Sequence, residues 1–346
     1  MSKQSNGRDL DLIVKDAGHI TISDIANDLN ISKTTVSRAI SGKGRVGAKT
    51  RERVLAYIEK YNYRPNPLAR GLANLKTYNI GWVVPGDSDV TDLPFFQRCM
   101  TGVCEVAAGN DYDILLSMVY EKDISQLERI VQNRKVDGIV LGRTLVEDPC
   151  VDFLKEMDIP FVVIGSTPTG DVVQIDNDHV AACSELTSIL IMKGLRRLAL
   201  IGGDSNHMVN ISRKNGFIEG LKANQMKPEE GLVYMDCKDR KDVGYAVEGC
   251  MRAKADCVIC MDDRICREVL EKLKNDNIVI PTQIKIASFY DSVLLDNSTP
   301  AITALQYDPR SLGIAAARTL FHLIDGEEVE PITYLNYEVA LKVSTQ

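Results

Sequence analysis

From Asn79 onward, short apolar runs recur between segments of helix length, and this alternation leaves few folds open. The runs are NIGWVVP, YDILLSMV, VDGIVLG and PFVVIG, followed by RLALIGG, LVYMDC, DCVICM and IKIASFY. The segments between them, near 95–109, 123–134, 178–193, 211–224, 240–253 and 262–275, have the length of crossover helices. Strands alternating with helices predict α/β architecture with parallel sheets. The runs form two sets of about four, so two similar Rossmann-like subdomains are expected. With 346 residues, 45% of them apolar, the chain can bury several cores.

The first 76 residues have a different character. They hold 14 Lys/Arg against 7 Asp/Glu, whereas the remainder holds 27 against 41. A basic piece on an acidic body suits a polyanion-binding module attached to a soluble domain, although a solvated charged surface has the same balance. Residues 1–19 show weak periodicity and read as an N-terminal extension. TISDIANDL then opens a helix with Thr21 as cap and Asp24 completing a capping box. Ile22, Ile25, Ala26 and Leu29 fall on one face of it. Asn30 can end that helix, Ile31 follows as a buried pin, and Ser32 can cap a second helix running through Ile40. After the glycine-rich turn SGKGRVG, a third helix over about 48–61 is expected to turn Val54, Leu55 and Ile58 inward.

Two short helices joined by a tight turn and packed by a third match the helix-turn-helix plan, and also a generic three-helix bundle. The second helix, ISKTTVSRAIS, favours the first reading. Its hydroxyl and β-branched residues are mediocre helix formers. Val36, Ala39 and Ile40 can pack inward, which leaves Lys33, Thr34, Ser37 and Arg38 outward. Short hydroxyls and backbone N–H groups at a helix N-terminus suit phosphate oxygens. Lysine and arginine can reach guanine edges, and a threonine methyl can touch thymine. Next comes YNYRPNPLARGLANLKTYN, in which Asn66 can cap a helix that has Pro67 at its first position and runs to about Leu75. So short a helix containing Gly71 is marginal alone and should form only with a partner. Leu72 would project from it, either as a packing residue or as a wedge between base steps of the minor groove.

In open α/β sheets, ligands sit beyond the carboxyl ends of the strands. The loops there carry Phe95, Phe96, Arg143, Ser166, Arg213, Asp262, Asp263, Tyr290, Asp291 and Gln306. Such aromatics, arginines, carboxylates and amides are the usual groups for holding a polyhydroxylated molecule, and equally are ordinary loop polars. GxGxxG and P-loop motifs are absent, which counts against dinucleotide and nucleotide-hydrolysis readings. No Ser or Cys comes with an identifiable His partner, and His19, His179, His207 and His322 are scattered singly, so no catalytic residues and no metal or other cofactor are expected. Nine cysteines all lie after residue 98. Cys257 and Cys260 form a CxxC, but inside a strand they point to opposite faces and read as packing residues. No apolar stretch is long enough to span a membrane, and the N-terminus lacks a secretory h-region, so the cytoplasm is the expected location.

The segment ITISDIANDLNISKTTVSRAISGKGRVGAKTRERVLAYIEKYNYRPNPLARGL resembles the DNA-binding head of the lactose/galactose repressor family. TxxDIA, SxxTVSRxxS and YxPNxxARxL match in order and spacing, and the resemblance continues through IGWVVP, LPFF, VDGIVL, IPFVVIG, RxxGFxxGL and GxxAARTLFHLIDG. It covers nearly the whole chain from residue 20. It implies a helix-turn-helix domain over 20–64, a hinge over 65–77, and a periplasmic-binding-protein-like core over 78–346. Within that core, one subdomain would comprise about 78–175 plus 304–331, the other 176–303 plus 332–346.

The resemblance also implies function. The chain would be a sugar-responsive transcriptional regulator, usually a homodimer, on a palindromic operator in double-stranded DNA. By position, Lys33 and Thr34 would face bases, and Ser32, Thr35, Ser37 and Asn66 would hold phosphates. Thr21, Arg38, Tyr63 and Ala69 would complete the DNA-binding set, and Leu72 would be the minor-groove wedge. Arg213 matches the arginine that grips the effector, Phe95 and Phe96 an aromatic wall, and Asp262 a polar contact position. Arg143, Tyr290, Asp291 and Gln306 would complete the effector set. The chain departs from the pattern at SFYD, where Tyr290 stands in place of the usual aspartate with Asp291 beside it, and near Asp239, where some members carry an aromatic stacker. It ends after EVALKVSTQ without a heptad tail, against tail-mediated tetramers. An activator or bifunctional regulator of the same family is the second reading. A sugar-binding transport receptor shares the core but should carry a secretory signal and lack the basic head. An enzyme with a DNA-binding domain has no supporting motif.

Overall fold

The structure, a computed structural model, describes residues 20–42, 44–63, 76–86, 94–120 and 123–346. The chain divides into two compact units with the boundary between Thr77 and Tyr78. The expected hinge helix, with Asn66, Ala69 and Leu72, and the N-terminal extension lie outside the described residues.

The first unit contains helices α1 (Ile22–Asp28), α2 (Lys33–Ser41) and α3 (Ala48–Lys60). Thr21 and Asp24 form the capping box on α1: the Asp24 N–H donates to the Thr21 hydroxyl at 3.3 Å, and the Thr21 N–H to the Asp24 carboxylate at 2.9 Å. Asn30, with φ at 53°, takes the left-handed conformation that turns the chain after α1. Ser32 caps α2, accepting from the Thr35 N–H at 3.1 Å. Gly42 ends α2 with φ at 72°, a conformation that disfavours any side chain. Two arginines of α3 hold carbonyls at the C-terminal ends of the other helices. Arg51 Nε donates to Ala39 O at 3.4 Å and Arg53 Nη2 to Leu29 O at 3.1 Å. Cations there complement the helix dipole.

Ile25, Val36 and Val54 are fully buried, and Ala26, Ala39 and Tyr63 complete the small core. The expectation for Leu55 fails: it is 47% exposed. One residue along a helix is about 100° around it. With Val54 pointing straight into the core, Tyr57 and Ile58 share its face and Leu55 is carried out to solvent.

The second unit opens with β1 (Asn79–Pro85), α4 (Pro94–Gly109), β2 (Asp113–Val119), α5 (Ser125–Gln132), β3 (Gly138–Leu141), α6 (Pro149–Glu156), β4 (Phe161–Ile164) and β5 (Gln174–Asn177). It continues with α7 (His179–Met192), β6 (Leu198–Ile201), α8 (Met208–Ala223), β7 (Val233–Tyr234), α9 (Arg240–Arg252), β8 (Cys257–Cys260), α10 (Asp263–Asn275), β9 (Lys285–Ser288), α11 (Val293–Asp296) and β10 (Thr303–Tyr307). It closes with α12 (Pro309–Ile324), β11 (Ile332–Leu335), β12 (Tyr337–Ala340) and a 3-10 turn at Val343–Thr345.

The strands form two six-stranded sheets, ordered β11-β5-β4-β3-β1-β2 and β12-β10-β9-β8-β6-β7. All pairings are parallel except that of β12 with β10. The sequence pattern marks four strands in each set; β5, β10 and β11 add to these, and the strand expected over EVALKVSTQ stops at Ala340, with Val343–Thr345 forming the 3-10 turn. The subdomain boundaries shift accordingly. Residues 304–307, expected in the first subdomain, lie in the second sheet, and residues 332–335, expected in the second, pair with β5 in the first. The chain therefore crosses between the subdomains after β5, after β10 and after β11.

Each sheet has a hydrophobic cluster on both faces. Cys257 belongs to one cluster of the second sheet and Cys260 to the other, as strand alternation requires. Glycines in two quoted motifs mark where helices meet backbone to backbone. A Cβ on Gly102 of α4 would lie 2.2 Å from Arg310 O, and one on Gly313 of α12 would lie 1.9 Å from Cys99 O. Gly216 and Gly220 of α8 do the same against α7, with Cβ positions 2.5 Å from Val180 O and 2.7 Å from Ser184 O.

Candidate functional site

On the first unit, α2 turns Val36 and Ala39 into the core and leaves Lys33, Thr34, Ser37 and Arg38 exposed. The face thus presents one lysine, one arginine and short hydroxyls on a helix whose N-terminus is capped. Ser32 and Thr35 already share a hydrogen bond of 2.8 Å between hydroxyls. The Thr21 hydroxyl donates to Asp24 at 2.8 Å. The Arg38 stem lies along the turn after α2, where a Cβ on Gly44 would sit 3.1 Å from Arg38 Cδ. The Tyr63 side chain, expected at the DNA surface, is 8% exposed and packs in the core of this unit instead.

In the second unit, the loops at the carboxyl ends of the two sheets face one another and touch. Leu145 and His207 form an antiparallel bridge; the Val146 N–H donates to Asn206 O at 2.9 Å, and the Met208 N–H to Thr144 O at 3.2 Å. Arg143 Nη1 approaches His207 Nε2 at 3.5 Å, and the Ser166 and Ser212 hydroxyls meet at 3.4 Å. The Phe95 ring from the first subdomain meets the Tyr290 ring from the second edge-on at 6.1 Å.

Arg213, on α8, lies at the centre of this cleft. It is 7% exposed. Its Nη1 donates to Met261 O at 2.9 Å, while Nε has no partner. The guanidinium sits 5.7 Å from the centre of the Tyr290 ring, and Tyr290 stacks on Tyr307 at 6.2 Å. His179 Nδ1 shares a 3.2 Å hydrogen bond with the Tyr307 hydroxyl, and its Nε2 lies 3.5 Å from Asp176. Burial pushes the Asp176 carboxyl up to about 7 and His179 well below its ordinary value. Both shifts disfavour the charged forms and so weaken an ion pair between the two. Burial also raises Asp263, and the neighbouring Asp262 charge adds to the effect. Asp291 Oδ1 and Ser292 Oγ are buried without partners beside Tyr290. Orphan buried polar atoms are rare in folded proteins, and the bare Nε of Arg213 in the cleft marks a place prepared for a polar ligand.

The Asp176 carboxyl has a measurable signature. Its pKa in the folded chain is about 7 against 3.8 for the free group, so the native state binds more protons than the unfolded state between those values. Stability contributed by this group is full near pH 4 and falls as pH rises to 7. A shift of this size is worth roughly 4 kcal/mol at most, at about 1.4 kcal/mol per pH unit. Asp176→Asn should remove that slope, so the difference in unfolding free energy between wild type and variant should change steadily from pH 4 to 7 and level off above. A constant difference across that range would show that Asp176 is not held protonated.

Known proteins resemble this chain throughout. Residues 21–66 match the family model described as bacterial regulatory proteins, lacI family, and residues 187–345 match a periplasmic binding protein-like domain. The HTH-type transcriptional regulator MalR of Staphylococcus xylosus is 30% identical over 317 residues, covering 90% of this chain and 93% of its own length. The chain belongs to the lacI family. Catabolite control protein A of the same organism is 27% identical over 94% of this chain and 99% of its own length. Among solved structures, the transcriptional regulator CelR–cellobiose complex superimposes with a TM-score of 0.71 at 25% identity, covering 94% of this chain and all of that one. The lac repressor dimer bound to operator and the anti-inducer ONPF shares the fold, with a TM-score of 0.78 at 19% identity over 94% of this chain and 99% of that one.

This lacI-family protein is thus a DNA-binding transcriptional regulator, and no described helix is long and apolar enough to cross a membrane. Of the residues that its sequence nominates for an effector, the structure brings together Phe95, Phe96, Arg143, Arg213 and Tyr290 around the cleft. Three others are engaged elsewhere. Asp262 caps α10, accepting from the Ile265 N–H at 2.7 Å. Asp291 accepts from Gln306 Nε2 at 2.7 Å and from Lys342 Nζ at 2.9 Å. Residues 306 and 307 alternate across β10, so Gln306 joins that network while Tyr307 turns to Tyr290 and His179. Asp239, at the position near the aromatic stacker, is exposed and caps α9 through the Lys241 and Asp242 N–H groups. Asp176, His179 and Tyr307 join the cleft without being nominated by the sequence: their only local signal is an Asp-x-x-His spacing that begins inside β5, and Tyr307 is 128 residues away from His179.

Proposed function

We propose that this regulator is a repressor that acts as a homodimer on a palindromic operator and is governed by a small polar effector, a sugar or sugar derivative, bound between the core subdomains. Residues 20–64 would bind the major groove through Lys33, Thr34, Ser37 and Arg38, with 65–77 as a hinge across the minor groove. The effector would sit against Phe95, Phe96, Arg143, Arg213 and Tyr290. The observation that carries this reading is the buried Arg213 with its unpartnered Nε, enclosed by loops from both sheets, in a chain whose other unit exposes a basic, hydroxyl-rich helix. The named relatives support it: MalR and catabolite control protein A are regulators, and CelR is seen with cellobiose.

Because the cleft draws on both subdomains, a ligand there favours one relative orientation of them. Any coupling of that orientation to DNA affinity must be reciprocal, so DNA alters effector affinity by the same factor. The chain would work by binding rather than by turnover, in the cytoplasm. A mobility shift on a palindrome selected from random DNA tests the reading. Leu72→Ala should lower specific affinity at least ten-fold if the hinge wedges base steps, while leaving the melting temperature of the core unchanged. Unaltered specific affinity would remove the wedge, and failure to select any palindrome would remove the homodimeric operator reading.

A further inference from the structure

Arg213 is a cation taken out of water with no anion supplied. Among the described residues no carboxylate lies within ion-pair distance of its guanidinium, which has one hydrogen bond, to the Met261 carbonyl, and a bare Nε. Burying a charge without a partner is costly. The β9 loop offers two side chains in succession, and it turns the wrong one toward the arginine for neutralisation. Tyr290 places its ring 5.7 Å from the guanidinium, while Asp291 is committed to Lys342 and Gln306. Lys342 is in turn shared with Asp296 at 2.7 Å, so Asp291 is held in place from two sides. A ring face attracts the cation but does not neutralise it. Asp176 is occupied with His179 and the Asn177 N–H. Burial raises both Asp176 and Asp263, and neither carboxylate is within ion-pair distance of the guanidinium.

We propose that the effector carries an anionic group, a carboxylate or a phosphate, which seats on the Arg213 guanidinium beside the Tyr290 ring. The proposal rests on the cleft being the effector site. An oxyanion there would satisfy Nε and the charge together, as arginine's fork of donors is shaped to do. Neutral hydroxyls would satisfy only the hydrogen bonds.

Matched sets of mono- and disaccharides test this, each set comprising a neutral parent, its uronate and its phosphate ester, titrated calorimetrically into the full-length protein and followed by melting temperature. A charged member should bind at least ten-fold more tightly than its neutral parent, and the uronate and phosphate arms identify which anion it is. Tyr290→Asp, which puts a carboxylate beside the guanidinium, should cancel or reverse that preference; its own melting curve reports whether it has folded. Equal affinity for a neutral parent and its charged partners, unchanged in Tyr290→Asp, overturns the anionic proposal and leaves the effector cleft standing. A melting temperature unmoved by every member of every set overturns both.

Discussion

Replacing Gly313 by valine is expected to cost at least about 3 kcal/mol of core stability, at the upper end of what overpacking usually costs. A Cβ at this position would lie 1.9 Å from Cys99 O and 2.8 Å from the Cys99 carbonyl carbon. The obstacle is backbone, so no rotamer change relieves it. α4 and α12 would have to move apart along a contact that also buries Cys99, Val103, Leu312 and Ala316. Interiors packed at crystal-like density do not absorb such a shift locally. Urea or thermal unfolding of the variant measures the loss. Arg318→Ala, at an exposed position on the same helix, is the control and should stay within about 0.5 kcal/mol of wild type. Equal stability of Gly313→Val and wild type would mean that the two helices are not in backbone contact.

The second large effect concerns DNA. Lys33→Ala should weaken specific binding by roughly ten- to a hundred-fold, corresponding to one base or phosphate contact of about 1–3 kcal/mol. Lys33 is exposed at the first position of α2, so the melting temperature should be unchanged and the loss should appear only in DNA affinity. Salt titration separates the two kinds of contact. A phosphate contact lowers the slope of log affinity against log salt by about one and weakens all sequences alike, whereas a base contact relaxes specificity at one position. Arg38→Ala is a less clean substitution, because its stem packs along the turn at Gly44. Wild-type affinity in Lys33→Ala would remove α2 from the groove.

Most of the strands legible in the sequence share a physical character, although β2 and β7 are largely half exposed. β1, β3, β4 and β8 are buried from end to end or nearly so, and their residues are almost wholly apolar. β5 is buried just as completely, yet it reads QIDN. Its polar side chains are accommodated by particular hydrogen bonds: Gln174 Oε1 accepts from the Thr167 N–H, and Asn177 Nδ2 donates to the Leu335 and Asn336 carbonyls. Those partners are invisible in a local pattern. β11 lies at a sheet edge and is half exposed, so its apolar signal is diluted. The cleft shows the same division. Arg213 was found because a motif names it, and the direction of Tyr290 against Asp291 was not. That choice is made by Lys342, 51 residues further on. The head was the most legible part, because capping and turn signals act within a few residues. Leu55 escaped because apolar character says nothing about which side of a helix the core occupies.

The three crossings between subdomains have a consequence for how the chain is made. The first sheet takes its edge strand from Ile332–Leu335, which pairs with Gln174–Asn177, and its face is covered by α12. The second sheet takes its edge from Tyr337–Ala340. On a ribosome, each sheet waits with an open flank until residues 332–340 emerge, whereas the core of the first unit draws only on residues within 20–63. Pairings of such long sequence separation fold slowly and leave unpaired edges exposed meanwhile. Loss of residues 332–340 would therefore strip a strand from both subdomains at once, and a nascent chain stays in need of a chaperone until that segment has emerged.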